Sequence, residues 1–402
     1  MKDKNINILE KSRKYLIFTT FAYDMIIERG EGCYLYDKNG KKYLDFTSNV
    51  ASCPLGYGDE DIEKVINDIS KTGAHKIAGQ DFYCKEHVEL AEELSKILPK
   101  NLKKFFFSNS GAEANENAIK LCYRYKSLKF NINPNELIGI SFEKAFHGRT
   151  LGALTFTSSK EVQKKGYPEF KVKRLIFNDE NKLNEIIEIK ENAAFLIMEL
   201  MQGEGGYKIA KKSFVKKLYK ILRKNEIPLI IDEVQTGLGR SGKWFMFEHY
   251  KIKPNILTLA KSLQVGATII EEKFDPKEAG AISSTWGGGD RIDLAIGKTI
   301  IEKIRKYKLY KNAEKMGKYL LKRLKEIERE FEFTKNARGI GLLCAIDIIN
   351  EKKGKLIQNC FKNGLLLLPC GEKSIRFIPP LIIKKEEIDE GIEIFEKCLK
   401  SL

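Results

Sequence analysis

Ile230-Ile231-Asp232-Glu233-Val234-Gln235-Thr236-Gly237 is the stretch on which the fold turns. An apolar run begun at Pro228 drives straight into two carboxylates, so one of them is expected at a strand's carboxyl end, partly buried. A buried carboxylate needs a cationic partner or good donors, and a protonated ring nitrogen would be such a partner. The plainer alternative is an ordinary strand-end acid at a turn. Working outward, further short apolar runs lie at Phe105–Phe107, Leu137–Phe142, Ala194–Leu200 and Ile256–Leu259, with helical stretches between them. Buried strands alternating with helices predict an α/β domain with a mostly parallel central sheet. Ligands of such sheets gather at the carboxyl ends of the strands, which makes the polar residues just past each run the first site candidates.

Two of those strand ends carry chemistry. Ser108-Asn109-Ser110-Gly111-Ala112-Glu113-Ala114-Asn115 joins a Phe-rich strand to a helix. A Ser-Gly turn at a helix N-terminus offers free N–H groups and a favourable dipole to a phosphate, although Ser or Asn would serve equally as a plain cap. Thr258-Leu259-Ala260-Lys261-Ser262-Leu263 ends an apolar strand on a lone lysine. A lysine in a desolvated pocket has a lowered pKa and can form a Schiff base; a surface lysine after a strand is the alternative. Gly237-Leu238-Gly239-Arg240-Ser241-Gly242 matches the dinucleotide glycine pattern but is followed by Lys243-Trp244-Phe245-Met246-Phe247 rather than an opening helix. No acid stands near residue 262, so no dinucleotide site is expected.

The flanks differ in pattern. Gly32–Tyr36 and Lys42–Phe46, separated by Asn39-Gly40, read as a hairpin. Amphipathic helices are expected around Asp61–Ser70 and His87–Leu98. A long helical region runs from about residue 290 to Phe331. Short strands follow near Gly341–Ile348, Gly364–Leu368 and Ser374–Phe377, then a closing helix. The expected organisation is an N-terminal segment, 1–60, contributing to a small domain; a large domain, 61–290; and a smaller α+β C-terminal domain, 291–402.

Composition narrows the function classes. The chain of 402 residues is 43% hydrophobic and 31% charged, an ordinary globular balance. It has no apolar run approaching the roughly 20 residues that span a bilayer. Its polar start lacks the apolar centre of a signal peptide, so a cytoplasmic protein is expected. The net charge of +16 is spread as Lys interleaved with Glu, as in Ile382–Lys400, which suits a solvated surface rather than a nucleic-acid face. Eight cysteines without a Cys-x-x-Cys pair read as reduced thiols. Four histidines, none at helical ligand spacing, leave no metal site expected.

Taken together, "SNSGAEANENAIK" from Ser108, "FHGRTLGAL" from Phe146, "MQGEGG" from Met201, "DEVQTGLGRSGKWF" from Asp232, "TLAKS" from Thr258, "STWGGGD" from Ser284, "RGIGLL" from Arg338 and "IRFIPPL" from Ile375 resemble the class III aminotransferases. These are fold-type I enzymes dependent on pyridoxal 5'-phosphate, and the likeness runs from about Tyr34 to the C-terminus. The resemblance implies that Lys261 carries the cofactor as a Schiff base and serves as acid and base. It implies that Asp232 partners the pyridine N–H, Gln235 bonds the 3-oxygen, and Phe146 stacks on the ring with His147 beside it. Ser110, Gly111 and Ala112 then hold the phosphate. Thr285 reaches the phosphate from a neighbouring subunit, which implies a homodimer or larger assembly with shared sites.

Substrate contacts follow in the same way. Arg149 resembles the arginine that grips a carboxylate, Arg376 the second carboxylate arginine, and Glu204 the glutamate that covers it; Glu199 also stands at a family carboxylate position. The substrates so implied are an amino acid with a terminal amine and a 2-oxo acid. The sequence departs from the family at Glu199-Leu200, often Glu-Pro, at Tyr57, usually His, and at Trp286-Gly287-Gly288-Gly289, often Phe-Gly-Gly-Asn. Ser284–Gly288 and the Leu368-Pro369 stretch look most like lysine 6-aminotransferases, which ranks lysine first as donor, ornithine or its N-acetyl form next, and 4-aminobutyrate after. A racemase or epimerase on the same scaffold is the second enzymatic reading, and a non-catalytic binding protein the third.

Overall fold

The computed structural model describes residues 2–19, 23–77, 81–284, 288–349 and 351–402, with side chains from Ile8 onward. A seven-stranded sheet forms its centre: β1 (Lys104–Ser108), β2 (Ile138–Phe142), β3 (Val172–Leu175), β4 (Ala193–Met198), β5 (Leu229–Asp232), β6 (Ile256–Leu259) and β7 (Gly266–Ile270). Their spatial order is β1-β7-β6-β5-β4-β2-β3. All run parallel except β7, which is antiparallel to both β6 and β1. Only Ala260–Val265 lie between β6 and β7, too few for the crossover a parallel partner needs, so the chain turns back. This is the expected α/β class with a mostly parallel sheet.

Each apolar run of the sequence overlaps one of these strands, but two strands gave no such signal. β3, Val-Lys-Arg-Leu, sits at the sheet's edge and keeps half-exposed polar residues. β7 follows the lysine turn after only Ala260–Val265, and no separate run was expected there. The central strand β4 is buried along its whole length, the pattern of a sheet covered on both faces. Helix α1 (Gly111–Phe130) lies against β6 and β7, with Ala114, Ala118 and Cys122 as its small contact residues.

The expected helical region after residue 290 is two helices, α2 (Arg291–Lys306) and α3 (Leu309–Glu330). They part at Lys308, whose φ of 50° is left-handed. Thr334–Gly339, Cys344–Ile348, Ser374–Phe377 and Leu368–Cys370 then form an antiparallel sheet. The expected strand Gly364–Leu368 divides. Leu365–Leu366 pairs in parallel with Leu44–Asp45, beside the N-terminal hairpin, whereas Leu368 belongs to the other sheet. Pro369 lies on that sheet's edge, where its missing N–H breaks no ladder.

The hairpin pairs Tyr34–Tyr36 with Lys42–Leu44, and Asp37 Oδ1 accepts the N–H groups of Asn39 and Lys41 to close the turn. Tyr57, one of the departures noted above, packs on Gly30 and donates to buried Asp45 Oδ2 at 2.7 Å. All eight cysteines are free thiols. Among the described residues no helix is long and apolar enough to cross a membrane.

Candidate active site

A cavity of about 890 Å³ opens at the carboxyl ends of β1, β4, β5 and β6. It gathers Ser110, Gly111, Ala112, Phe146, His147, Arg149, Glu199, Glu204, Asp232, Gln235, Lys261 and Arg376 in its lining. Thr285 and Trp286 lie outside the described residues.

The two carboxylates after β5 separate by side. Successive strand residues point to opposite faces, so Asp232 faces the cavity and Glu233 faces away. Glu233 accepts the N–H groups of Met246 and Phe247 and the hydroxyl of Thr236, and burial pushes its carboxyl up to about 7. It is a clamp on the chain that follows. Asp232 Oδ2 takes Asn115 Nδ2 at 2.8 Å and His147 Nδ1 at 2.8 Å, while Oδ1 accepts Val234 N–H at 3.0 Å. Among the described residues no Lys or Arg lies within ion-pair distance of this buried carboxylate.

Lys261 follows β6 with a left-handed φ of 48°, a conformation that costs a non-glycine residue about 1–2 kcal/mol. Strain of this kind concentrates at functional sites. Its ammonium is desolvated on the cavity floor. Burial, with Arg376 adding repulsion, lowers its pKa to about 8 against the opposing pull of Glu204, Asp232 and Glu199.

At the N-terminus of α1, Ser110 is the cap: its Oγ accepts Glu113 N–H at 3.2 Å and donates to Glu113 Oε2 at 3.0 Å. Gly111 and Ala112, at the cavity wall, donate their N–H groups to no acceptor among the described residues. A Cβ on Gly111 would stand 2.8 Å from Val234 Cγ1 and 3.3 Å from the Ala260 methyl, so only glycine lets the helix start this close to the two strand ends.

Across the cavity, Glu204 Oε1 meets Arg376 Nη2 at 2.8 Å. Burial raises the Glu204 carboxyl, but Arg376, Lys160 and Lys261 outweigh it and leave it below its ordinary range. Arg376 is buried, and its Nε and Nη1 have no hydrogen-bond partner. Arg149 is exposed at the mouth, its guanidinium 5.7 Å from the Phe146 ring centroid. Glu199 spends both oxygens on the backbone, accepting Phe146 N–H and Gly203 N–H at 2.9 Å each, and burial pushes it up to about 7.

Residues 19–399 match the sequence pattern described as aminotransferase class-III. This chain belongs to the class III aminotransferases. An acetylornithine aminotransferase of Archaeoglobus fulgidus is 36% identical over 392 residues, 96% of this chain and 98% of its own length. One from Caldanaerobacter subterraneus is 34% identical over 395 residues, 97% of this chain and 98% of its own. Among solved structures, the lysine aminotransferase of M. tuberculosis superposes with a TM-score of 0.91 at 26% identity, over 99% of each chain. The ornithine aminotransferase of Toxoplasma gondii does so with 0.92 at 25%, over 99% of this chain and 95% of its own.

Class III aminotransferases depend on pyridoxal 5'-phosphate, and the cavity fits that group by the chemistry of its donors. Two unclaimed N–H groups at a helix N-terminus suit a dianionic phosphate. A buried carboxylate bonded to an amide, an imidazole and a backbone N–H lacks the cation that a pyridinium supplies. A lysine poised near neutrality suits the aldehyde.

Reading the sequence alone overlooked Asn115, which stands in the quoted phosphate motif, and Lys160, at 3.9 Å from Glu204. A polar residue one helical turn past the glycine was the available signal for Asn115. Nothing in the local pattern marks Lys160.

Proposed function

We propose that this aminotransferase takes the terminal amino group of an ω-amino acid and gives it to 2-oxoglutarate. The observation that carries this reading is the Glu204–Arg376 pair. Neutralised by Glu204, Arg376 offers little to a donor whose α-carboxylate lies away from the reacting amine. Released from Glu204, it presents three donor nitrogens, two of them already unclaimed, to a second carboxylate. The curated relatives at 34–36% identity are acetylornithine aminotransferases, so N-acetylornithine heads our order of donors, with lysine and ornithine next. One methylene between lysine and ornithine is worth only about 10- to 200-fold, so a ranking is expected rather than exclusion.

In this reading Lys261 would hold the cofactor, Asp232 would bond its ring nitrogen, Gln235 its 3-oxygen, Phe146 would cover the ring, and Gly111 and Ala112 with Ser110 would take the phosphate. The bound cofactor supplies an electron sink for the bond broken beside the amine. Once the donor's amine has replaced it on the cofactor, Lys261 Nζ, with its lowered pKa, would be free to accept a proton from the donor carbon and return it to the neighbouring position. Asp232 holds positive charge on its partner nitrogen. Arg149 anchors the donor's carboxylate, and Glu199 fixes the backbone of Phe146 and of the loop carrying Glu204.

Two further assignments belong to this reading. The partition at about residues 60 and 290 is supported by Leu365–Leu366 pairing with Leu44–Asp45. The remaining assignment is a cytoplasmic protein that forms a homodimer, with Thr285 completing the partner's site; the unpaired edge of strand β1 and the exposed Phe82 and Tyr83 suit the dimer. A panel of N-acetylornithine, ornithine, lysine and 4-aminobutyrate against 2-oxoglutarate tests the function. The proposal fails if none yields glutamate.

A further inference from the structure

Three neighbouring strands place a polar row on one face of the sheet. Asp232 of β5 is in register with Thr258 of β6, and Thr258 is in register with Thr268 of β7. In-register residues of adjacent strands project to the same face, here the face covered by the first turns of α1. All three side chains are buried, with Thr258 and Thr268 wholly so. Buried hydroxyls among apolar strands cost stability unless they are bonded, and both are bonded to α1. Thr268 Oγ1 donates to Ala114 O at 2.7 Å. Thr258 Oγ1 donates to Asn115 Oδ1 at 2.7 Å.

Asn115 then has one possible orientation. With Oδ1 accepting from Thr258, both hydrogens of Nδ2 remain, and they go to His147 O at 2.7 Å and to Asp232 Oδ2 at 2.8 Å. A flipped amide would set its oxygen against a carbonyl and a carboxylate. Asp232 Oδ2 receives His147 Nδ1 as well, so its two acceptor positions are filled. Oδ1 holds only Val234 N–H and keeps one open. Thr258 thus helps hold Asn115 in the orientation that fills Oδ2 of Asp232 and leaves Oδ1 for a cation.

We propose that the row Asp232–Thr258–Thr268, tied to α1 through Asn115 and Ala114 O, is a positioning device that fixes the nitrogen-binding carboxylate relative to the phosphate-binding N–H groups at the start of α1. Asn115 is four residues from Gly111, one helical turn, and the same turn carries Ala114. The distance between the two ends of the cofactor site is therefore set by side chains that need not touch the cofactor. Thr258 and Thr268 serve as positioning residues: Asn115 links Thr258 to the carboxylate, and Thr268 holds the same helical turn through Ala114 O. The inference rests on the reading of Asp232 as partner of the ring nitrogen.

The test is a titration of apoenzyme with pyridoxal 5'-phosphate and with pyridoxal, which lacks the phosphate. Thr258→Val removes the hydroxyl at nearly constant shape. It should weaken both ligands by about three- to tenfold, the worth of one well-placed hydrogen bond. It should also shift the pH at which the bound chromophore titrates. Thr268→Val should weaken pyridoxal 5'-phosphate by a similar factor and leave pyridoxal within twofold, because only the phosphate end loosens. Thr258→Ser should restore wild-type binding and spectrum. If Thr258→Val fails to fold, Asn115→Ser, too short to bridge, takes its place with the same expectation. Folded Val variants that bind both ligands like wild type, or a Thr258→Ser variant as weak as Thr258→Val, overturn the inference. Asp232→Asn separates the two levels. Affinity and chromophore titration altered in Asp232→Asn but unaltered in Thr258→Val reject the positioning row alone. Both unaltered in Asp232→Asn reject the reading of Asp232 as well.

Discussion

Glu204 Oε1 lies 2.8 Å from Arg376 Nη2, and neither residue's backbone belongs to the same part of the chain: Arg376 stands on the C-terminal antiparallel sheet, Glu204 on the turn after β4. That turn is held from the far side. Arg338 bonds Gly206 O and Tyr207 O, along with Asp347 and Ser374, and Gly371 N–H donates to Glu204 O at 2.8 Å. The Glu204 backbone is therefore fixed, so the proposed uncovering of Arg376 asks only for a movement of the side chain; Lys160 Nζ lies 3.9 Å from its Oε2.

Glu204→Ala should shift preference toward α-amino donors. Without its cover, Arg376 recruits a carboxylate in both half-reactions. The ratio of half-reaction rates, glutamate over an ω-donor, is expected to rise by about tenfold or more, since a desolvated charge pair is worth at least that much. An unchanged ratio rejects the exchange of roles between Glu204 and substrate.

Asp232→Asn should leave the fold intact and depress kcat by on the order of 100-fold or more, the usual loss when preorganised charge stabilisation is removed. The amide can still contact a ring nitrogen but cannot hold positive charge on it. Stopped-flow or steady-state rates within a few-fold of wild type would remove Asp232 from its role.

Lys261 gives a pH prediction. Its amine reacts with an aldehyde only when unprotonated, so cofactor capture by apoenzyme should speed up as pH rises through about 8 and level off above it. Linkage gives a second sign. The folded pKa is below the unfolded value, so the unfolded chain binds more protons between about 8 and 10.5. This group then makes apoenzyme stability rise with pH across that window. Capture rates that are flat from pH 7 to 9, or that fall, contradict the assignment.

Gly111→Ala places a methyl 2.8 Å from Val234 Cγ1. The helix start must move away from the strand ends, carrying with it the N–H groups of Gly111 and Ala112. Affinity for pyridoxal 5'-phosphate should fall by about tenfold or more, with little change for pyridoxal. Overpacking a tight site typically costs 1–3 kcal/mol, which is the basis of that figure. Equal losses for both ligands would place the phosphate elsewhere.

The central sheet was legible because buried parallel strands are continuous apolar runs, and the motifs stand where those runs end. β3 was not legible because an edge strand may stay polar. β7 was not, because antiparallel return depends on loop length rather than on hydrophobic pattern. The division of Gly364–Leu368 between two sheets depends on partners far away in sequence, Leu44 and Arg376, which no local window contains. At the site, strand-end position made Asp232 and Lys261 candidates beside plainer alternatives, and the resemblance of the whole motif set implied their roles. The separate duty of Glu233 followed only from seeing Met246 and Phe247 fold back onto it. Asn115 looked like one polar residue among several on a helix until its register with Thr258 was visible.

Isotope tracing tests the function most directly. Donors carrying ¹⁵N on the terminal amine only, N-acetylornithine, ornithine and lysine, are incubated with holoenzyme and 2-oxoglutarate, and the glutamate formed is analysed by mass spectrometry. The account predicts ¹⁵N-glutamate from at least one donor, N-acetylornithine first, with the donor recovered as its semialdehyde. Glutamate without the label, or donor returned only as its mirror image with no glutamate formed, would contradict it.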